Sequence, residues 1–91
     1  MDQLKELQDL ISRGEVTSAL EQLDRMIQED PTNKDELYYI RGNAFRKKGD
    51  WQQALNNYQS AIDINPQSPA VQARAIIIDI LNFYHKDMFN H

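Results

Sequence analysis

The chain contains no cysteine. Neither a disulfide nor a thiolate metal site can supplement its core, so stability has to come from packing. Glycine and proline are scarce, with 3 of each, so little interrupts the chain and long helices are permitted. No apolar run approaches the roughly 18 residues of a membrane span. The opening MDQLKELQDL is charged and has no continuous apolar stretch, which is not the pattern of a signal peptide. A cytoplasmic protein is the expectation. Imidazoles are limited to His85 and His91. Asp87 stands too near His85 in sequence to share its helix face, and the residues one turn before His85 are Leu81 and Asn82. Ser12, Ser18, Ser60 and Ser68 have no candidate base beside them in sequence. A metal site needs about three or four converging ligands, and none can be assembled. No catalysis, no cofactor and no metal are expected.

What is present is the composition of a folded chain: 91 residues, 41% apolar and 26% charged. That length suits one small domain, residues 1–91. The formal net charge is −4, which argues against nucleic acid as the main partner. The charge is unevenly placed. Residues 1–36 carry ten acids and four bases, whereas residues 37–49 carry Arg41, Arg46, Lys47 and Lys48 and no acid. Cations in such a cluster also complement the dipole at a helix end.

Helical periodicity runs through the whole chain, and no alternating strand pattern of useful length occurs. Leu4, Leu7, Leu10 and Ile11 form one apolar stripe that stops at Gly14. Val16, Ala19, Leu20, Leu23, Met26 and Ile27 form a second, ending at Pro31. Thr32-Asn33 opens a third helix, with Glu36 placed for a capping box. It carries Leu37, Tyr38, Ile40, Ala44 and Phe45 and stops at Gly49. Asp50 caps a fourth, with Gln53 placed to reach back. That helix carries Trp51, Ala54, Leu55, Tyr58, Ala61 and Ile62 and ends at Pro66. Ser68-Pro69 is an N-cap followed by proline at the first helical position, and the fifth helix is expected to run to about Lys86.

The stops recur. Gly14 and Gly49 are 35 residues apart, and the same offset relates Glu15 to Asp50, Ala19 to Ala54, Leu20 to Leu55, Leu23 to Tyr58, Met26 to Ala61, Ile27 to Ile62 and Pro31 to Pro66. It also carries Leu7 to Gly42 and on to Ile77, and Leu10 to Phe45 and on to Ile80. The chain is an internal repeat of helical hairpins. Its fifth helix is the first half of a third unit.

The set Tyr38, Arg41-Gly42, Phe45, Gly49, Trp51, Ala54, Tyr58, Ala61 and Pro66 resembles a tetratricopeptide repeat, strongly over residues 35–68 and moderately over 1–34. Arg41 replaces the usual leucine, and Leu7 stands where the family prefers glycine. The resemblance implies an all-α solenoid of five helices: two antiparallel hairpins, residues 1–34 and 35–68, and a long capping helix from 69 to 91. Gly42 and Ala54 are expected to let the paired helices approach, Ala61 to make room for the next, and Tyr38, Phe45 and Tyr58 to fill the gaps between units.

It further implies a protein–protein interaction module whose concave face, lined by the first helix of each hairpin, binds a peptide or helix. The repeat offset gives three rows on that face: Leu4, Tyr39, Arg74; Gln8, Asn43, Ile78; and Ile11, Arg46, Leu81 flanked by Ser12, Lys47, Asn82. Tyr39, Asn43, Arg46, Lys47, Arg74 and Ile78 are the candidate binding residues, suited to an acidic extended peptide. Chaperone-binding members of the family grip a terminal carboxylate, but here Leu4, Gln8, Ile40, Val71 and Ala75 occupy the matching places, so that specificity is not transferred. The alternative expectation is a self-associating module, a homodimer through the concave face or the apolar C-terminal helix, or a fragment of a larger repeat protein.

The last segment is apolar on more than one side. Ala73, Ile76, Ile77, Ile80, Leu81, Tyr84 and Met88 form a stripe able to pack on the second hairpin, while Ile78 and Phe89 fall outside it and Phe83 lies on its edge. This helix covers an apolar face that two hairpins alone would leave bare. A chain ending at Ser68 is expected to aggregate or lose cooperative unfolding, read by thermal melts and light scattering; a soluble truncation with a sharp melt would make the helix an appendage.

Overall fold

A computed structural model describes residues 2–89, with side chains described through residue 83. Five helices follow in order: α1 Gln3–Ser12, α2 Val16–Gln28, α3 Lys34–Lys48, α4 Trp51–Ile64 and α5 Ala70–Phe89. The fifth runs slightly beyond the expected end near Lys86.

The repeat is visible in the backbone as well as in the residue types. Gly14 and Gly49 end α1 and α3 with φ of +86° and +88°, the left-handed region that glycine enters without strain. After each, the chain closes the same pair of bonds. Gly14 donates to the Ile11 carbonyl and Glu15 to that of Leu10; Gly49 donates to Arg46 and Asp50 to Phe45. Both are Schellman ends. The second also explains a difference from the sequence reading. Asp50 accepts from the Gln53 amide at 3.2 Å, but its own N–H is committed to Phe45, so Gln53 has nothing to reach back for. Asn33 makes no side-chain capping bond, so the capping box expected with Glu36 does not form. Asp2 instead caps α1.

The two hairpins leave by different routes. Asn65, just before Pro66, is extended at φ −140°, as a residue preceding proline prefers. Its amide donates to Asp35 at the start of α3, 2.9 Å away. Asp30, just before Pro31, sits at φ +56°. Its exposed carboxylate pairs with Lys34 at 2.6 Å, which lowers the carboxyl pKa and raises the amine pKa through their hydrogen bond and attraction.

Two buried clusters form the core. The first joins Leu7, Ile11, Val16, Ala19 and Leu23 to Leu37, Ile40 and Ala44 of α3. The second joins Ala54, Tyr58 and Ala61 to Ala70, Ala73 and Ile77 of α5, with Tyr38, Tyr39 and Phe45 packed against it. The central helix α3 therefore serves both clusters, and its Tyr39 packs against each. On α5 the packed stripe is narrower than expected. Ile76 is 47% exposed and lies off it, while Ile77 is fully buried. Trp51, expected on the core face of α4, is on the surface at 36% exposure. The side chains of Tyr84, Met88 and Phe89 lie outside those described.

The close approach at Gly42 is also differently made. A Cβ there would lie 2.5 Å from both Cδ1 and Cε1 of Tyr58. The glycine makes room for an aromatic ring rather than for Ala54. That ring is fully buried and stacked at an angle on Tyr39, 6.0 Å between centroids, so it cannot retreat. Ala54 is fully buried too, where its small side chain fits the second cluster. Gly42→Ala is expected to destabilise the protein by about 1–3 kcal/mol, although alanine alone favours a helix by about 1 kcal/mol over glycine. Adding Tyr58→Leu should make the glycine substitution nearly harmless. Urea unfolding of both single variants and the double variant measures this coupling; strictly additive effects would show that the ring does not rest on Gly42.

Candidate functional site

The cations of α3 fall into two environments. Arg41 points across the bundle. Its Nε donates to Asp24 Oδ1 of α2 at 3.0 Å and its Nη1 donates to Asn57 Oδ1 of α4 at 2.8 Å. Its guanidinium carbon lies 5.1 Å from the centroid of the Phe45 ring. Asn57 is itself buried, and its amide donates to the Gln53 carbonyl at 2.8 Å. Arg41 is thus a tie joining three helices, with its charge spent internally. In the sequence Arg41 registers only as a replacement for leucine. The available signal was a pair of polar residues, Asp24 and Asn57, one on each helix that flanks α3.

Arg46 and Lys47 are placed otherwise. With Asn43 they line an open groove of about 440 Å³ whose other walls are Ile11 and Ser12 at the end of α1 and Trp51 at the start of α4. Neither cation makes an ion pair among the described residues. The groove exists because α1 and α3 end at equivalent glycines, bringing their last turns side by side. Trp51 follows the second glycine directly enough to form the rim.

Asn43 connects this surface to the core. Its Oδ1 accepts a hydrogen bond from the Tyr58 hydroxyl. Burial pushes the Tyr58 phenol pKa up, and the Arg46 guanidinium beside it acts in the opposite direction.

Of the six residues chosen from the sequence, Asn43, Arg46 and Lys47 share the groove. Tyr39 is half-buried, with its ring against Tyr58. Arg74 and Ile78 are half-buried on α5 and do not line the groove. In the third row, Ile11 belongs to the first core cluster and Leu81 packs on the second. Trp51 was missed as a surface residue because its helical spacing matches the apolar stripe of α4.

No cluster of three or more His, Cys, Asp or Glu able to hold a metal occurs among the described residues. Ser68 is buried and caps α5 through the Ala70 amide at 3.0 Å, and Ser60 donates to the Asn56 carbonyl. His85, Asp87 and His91 have side chains outside those described. Among the described residues, no helix is long and apolar enough to cross a membrane.

A protein-family model described as TPR repeat matches residues 42–73. A solution NMR structure of a Bacteroides fragilis protein is 60% identical to this chain, with a TM-score of 0.89 over 99% of this chain and 91% of that one. No curated protein matches.

The Arg41 tie has an energetic signature. Arg41→Ala leaves the buried Asn57 oxygen without its donor and is expected to cost about 1–3 kcal/mol. Asp24→Ala removes a half-exposed partner and should cost less than about 1 kcal/mol. Chemical denaturation of the two variants checks the order; a larger loss for Asp24→Ala would put the energy in the ion pair rather than in the buried amide.

Proposed function

The chain belongs to the tetratricopeptide repeat family, whose repeats generally mediate protein–protein interaction without catalysis, and from that premise we propose that it binds an extended acidic segment of a partner protein. The binding surface is the face given by the repeat offset to α1, α3 and α5. Its centre is the groove of Ile11, Ser12, Asn43, Arg46, Lys47 and Trp51, with Tyr39, Arg74 and Ile78 extending it. The observation that carries the reading is the pairing of two cations, neither with an ion-pair partner among the described residues, with an exposed tryptophan in one concavity. The functional unit is residues 1–91, composed of 1–34, 35–68 and the cap 69–91, working in the cytoplasm without a cofactor.

Each part has a role. Arg46 and Lys47 attract carboxylates, and Asn43 bonds the peptide backbone. Trp51 and Ile11 cover an apolar side chain. Exposed ion pairs contribute only about 0–1 kcal/mol each, so the charges set on-rate and selectivity more than affinity. Affinity rests on the apolar contacts, and a groove this short implies micromolar binding, near −8 kcal/mol.

A second reading is self-association through α5. Ile76 and Phe83, 47% and 62% exposed, lie seven residues apart on one side of that helix. A concentration-dependent mass in light scattering would favour it.

The charge-reversed pair Arg46→Glu, Lys47→Glu is expected to weaken binding of an acidic peptide and flatten its salt dependence, measured by titration at two ionic strengths. The melting curve should stay close to that of the parent. Unchanged affinity in a folded double variant would move the site off this face.

A further inference from the structure

The groove and the core meet at one hydrogen bond. Tyr58 cannot adjust its position: its ring is fully buried, lies against Gly42 and stacks on Tyr39. Its hydroxyl donates to Asn43 Oδ1. A carboxamide could in principle turn over and donate to the phenol instead, because its two ends are an acceptor and a donor. The sense observed has the phenol as donor to the carbonyl end of Asn43. The Arg46 guanidinium beside the phenol, which opposes its raised pKa, has five donors and no acceptor, so it offers the phenol hydrogen no competing partner.

The amine end of Asn43 then has no partner among the described residues. No buried side-chain polar atom there is left unpaired, so this NH₂ reaches solvent, and Asn43 lines the groove. Its neighbours Arg46 and Lys47 also have donors alone.

We propose that the buried Tyr58 hydroxyl is a positioning group that holds Asn43 with its donors outward, so that the groove takes a ligand presenting acceptors: a backbone carbonyl flanked by carboxylate side chains. This deepens the peptide-binding reading and rests on it. The polarity is set from inside the fold. A ligand offering an N–H at the Asn43 position meets donor against donor, and the amide cannot turn to receive it without breaking the bond to Tyr58.

The test uses the full chain labelled with ¹⁵N and an acetylated, amidated hexapeptide of alternating glutamate and leucine. The indole N–H of Trp51 reports entry into the groove, and the side-chain NH₂ of Asn43 reports its own contact. The peptide is expected to shift both signals. Asn43→Asp keeps an acceptor for Tyr58 but turns an acceptor outward, and is expected to weaken binding at least about tenfold, as for loss of a good hydrogen bond beside an introduced repulsion. Tyr58→Phe should weaken it about threefold or more and move the Asn43 signals in the free protein, although residue 58 does not line the groove. Asn43→Ser, with a hydroxyl that donates in either direction, should recover part of the loss seen with Asp. If the peptide shifts Trp51 while the Asp and Phe variants bind it as well as the parent, the donor-only assignment is overturned and the binding reading survives. If the peptide moves neither signal, the binding reading falls and takes the inference with it.

Discussion

The ring of Tyr58 lies on helix backbone left bare by Gly42, and this contact sets how closely α3 and α4 pair. Any side chain at residue 42 would hold the second hairpin open. Once the ring is seated, its hydroxyl reaches Asn43 on the groove side, and its body fills the cluster completed by α5. One aromatic residue thereby fixes the hairpin, contributes to the second core and orients a surface amide. The cost is a tight packing tolerance: the fit leaves no room even for a methyl group, and interiors packed at this density transmit misfits to their neighbours.

The first hairpin meets the same requirement with different residues. The repeat offset carries Gly42 and Tyr58 back to Leu7 and Leu23, and both leucines are buried in the first cluster. One unit combines nothing with a large ring, and the other combines two medium side chains. Volume-conserving exchanges of this kind are what cores tolerate best. Leu7 therefore does not loosen the hairpin by departing from the family glycine, because the facing residue has changed with it. A single-position comparison with the family pattern registers a defect where a comparison of pairs registers compensation.

The fold was legible because its signals are periodic and local. Glycines and prolines at a fixed offset mark the helix ends, and two glycines adopt the positive φ that such ends require. The details that escaped reading depend on partners distant in sequence. Glu36 sits in the right place for a capping box, yet Asn33 does not take the capping geometry. Gln53 likewise stands at the capping-box position, but the Asp50 amide was already taken by a carbonyl of the previous helix. Ile76 and Trp51 obey helical spacing and still face outward, because periodicity gives a face its residues but not its neighbours. The groove was half legible: Arg46, Lys47 and Asn43 follow from the repeat offset, whereas the surface position of Trp51 and the Tyr58 tether depend on how α4 packs against α3. Arg41 shows the limit from the other side, since a run of basic residues reads as one patch while one of its members is turned into the bundle.

Serving two clusters at once gives α3 a part that the other helices lack. In an array of stacked hairpins each unit touches only its neighbours, and stability is close to a sum of unit and interface terms. Here Leu37, Ile40 and Ala44 belong to the first cluster, Tyr38 and Phe45 pack on the second, and Tyr39 packs on both. Losing either cluster strips one side of this helix and exposes apolar surface to water. The ends can fray independently only until the damage reaches α3, after which both halves go together. A chain built from semi-independent modules is thus made into a single cooperative unit by the one element its modules share.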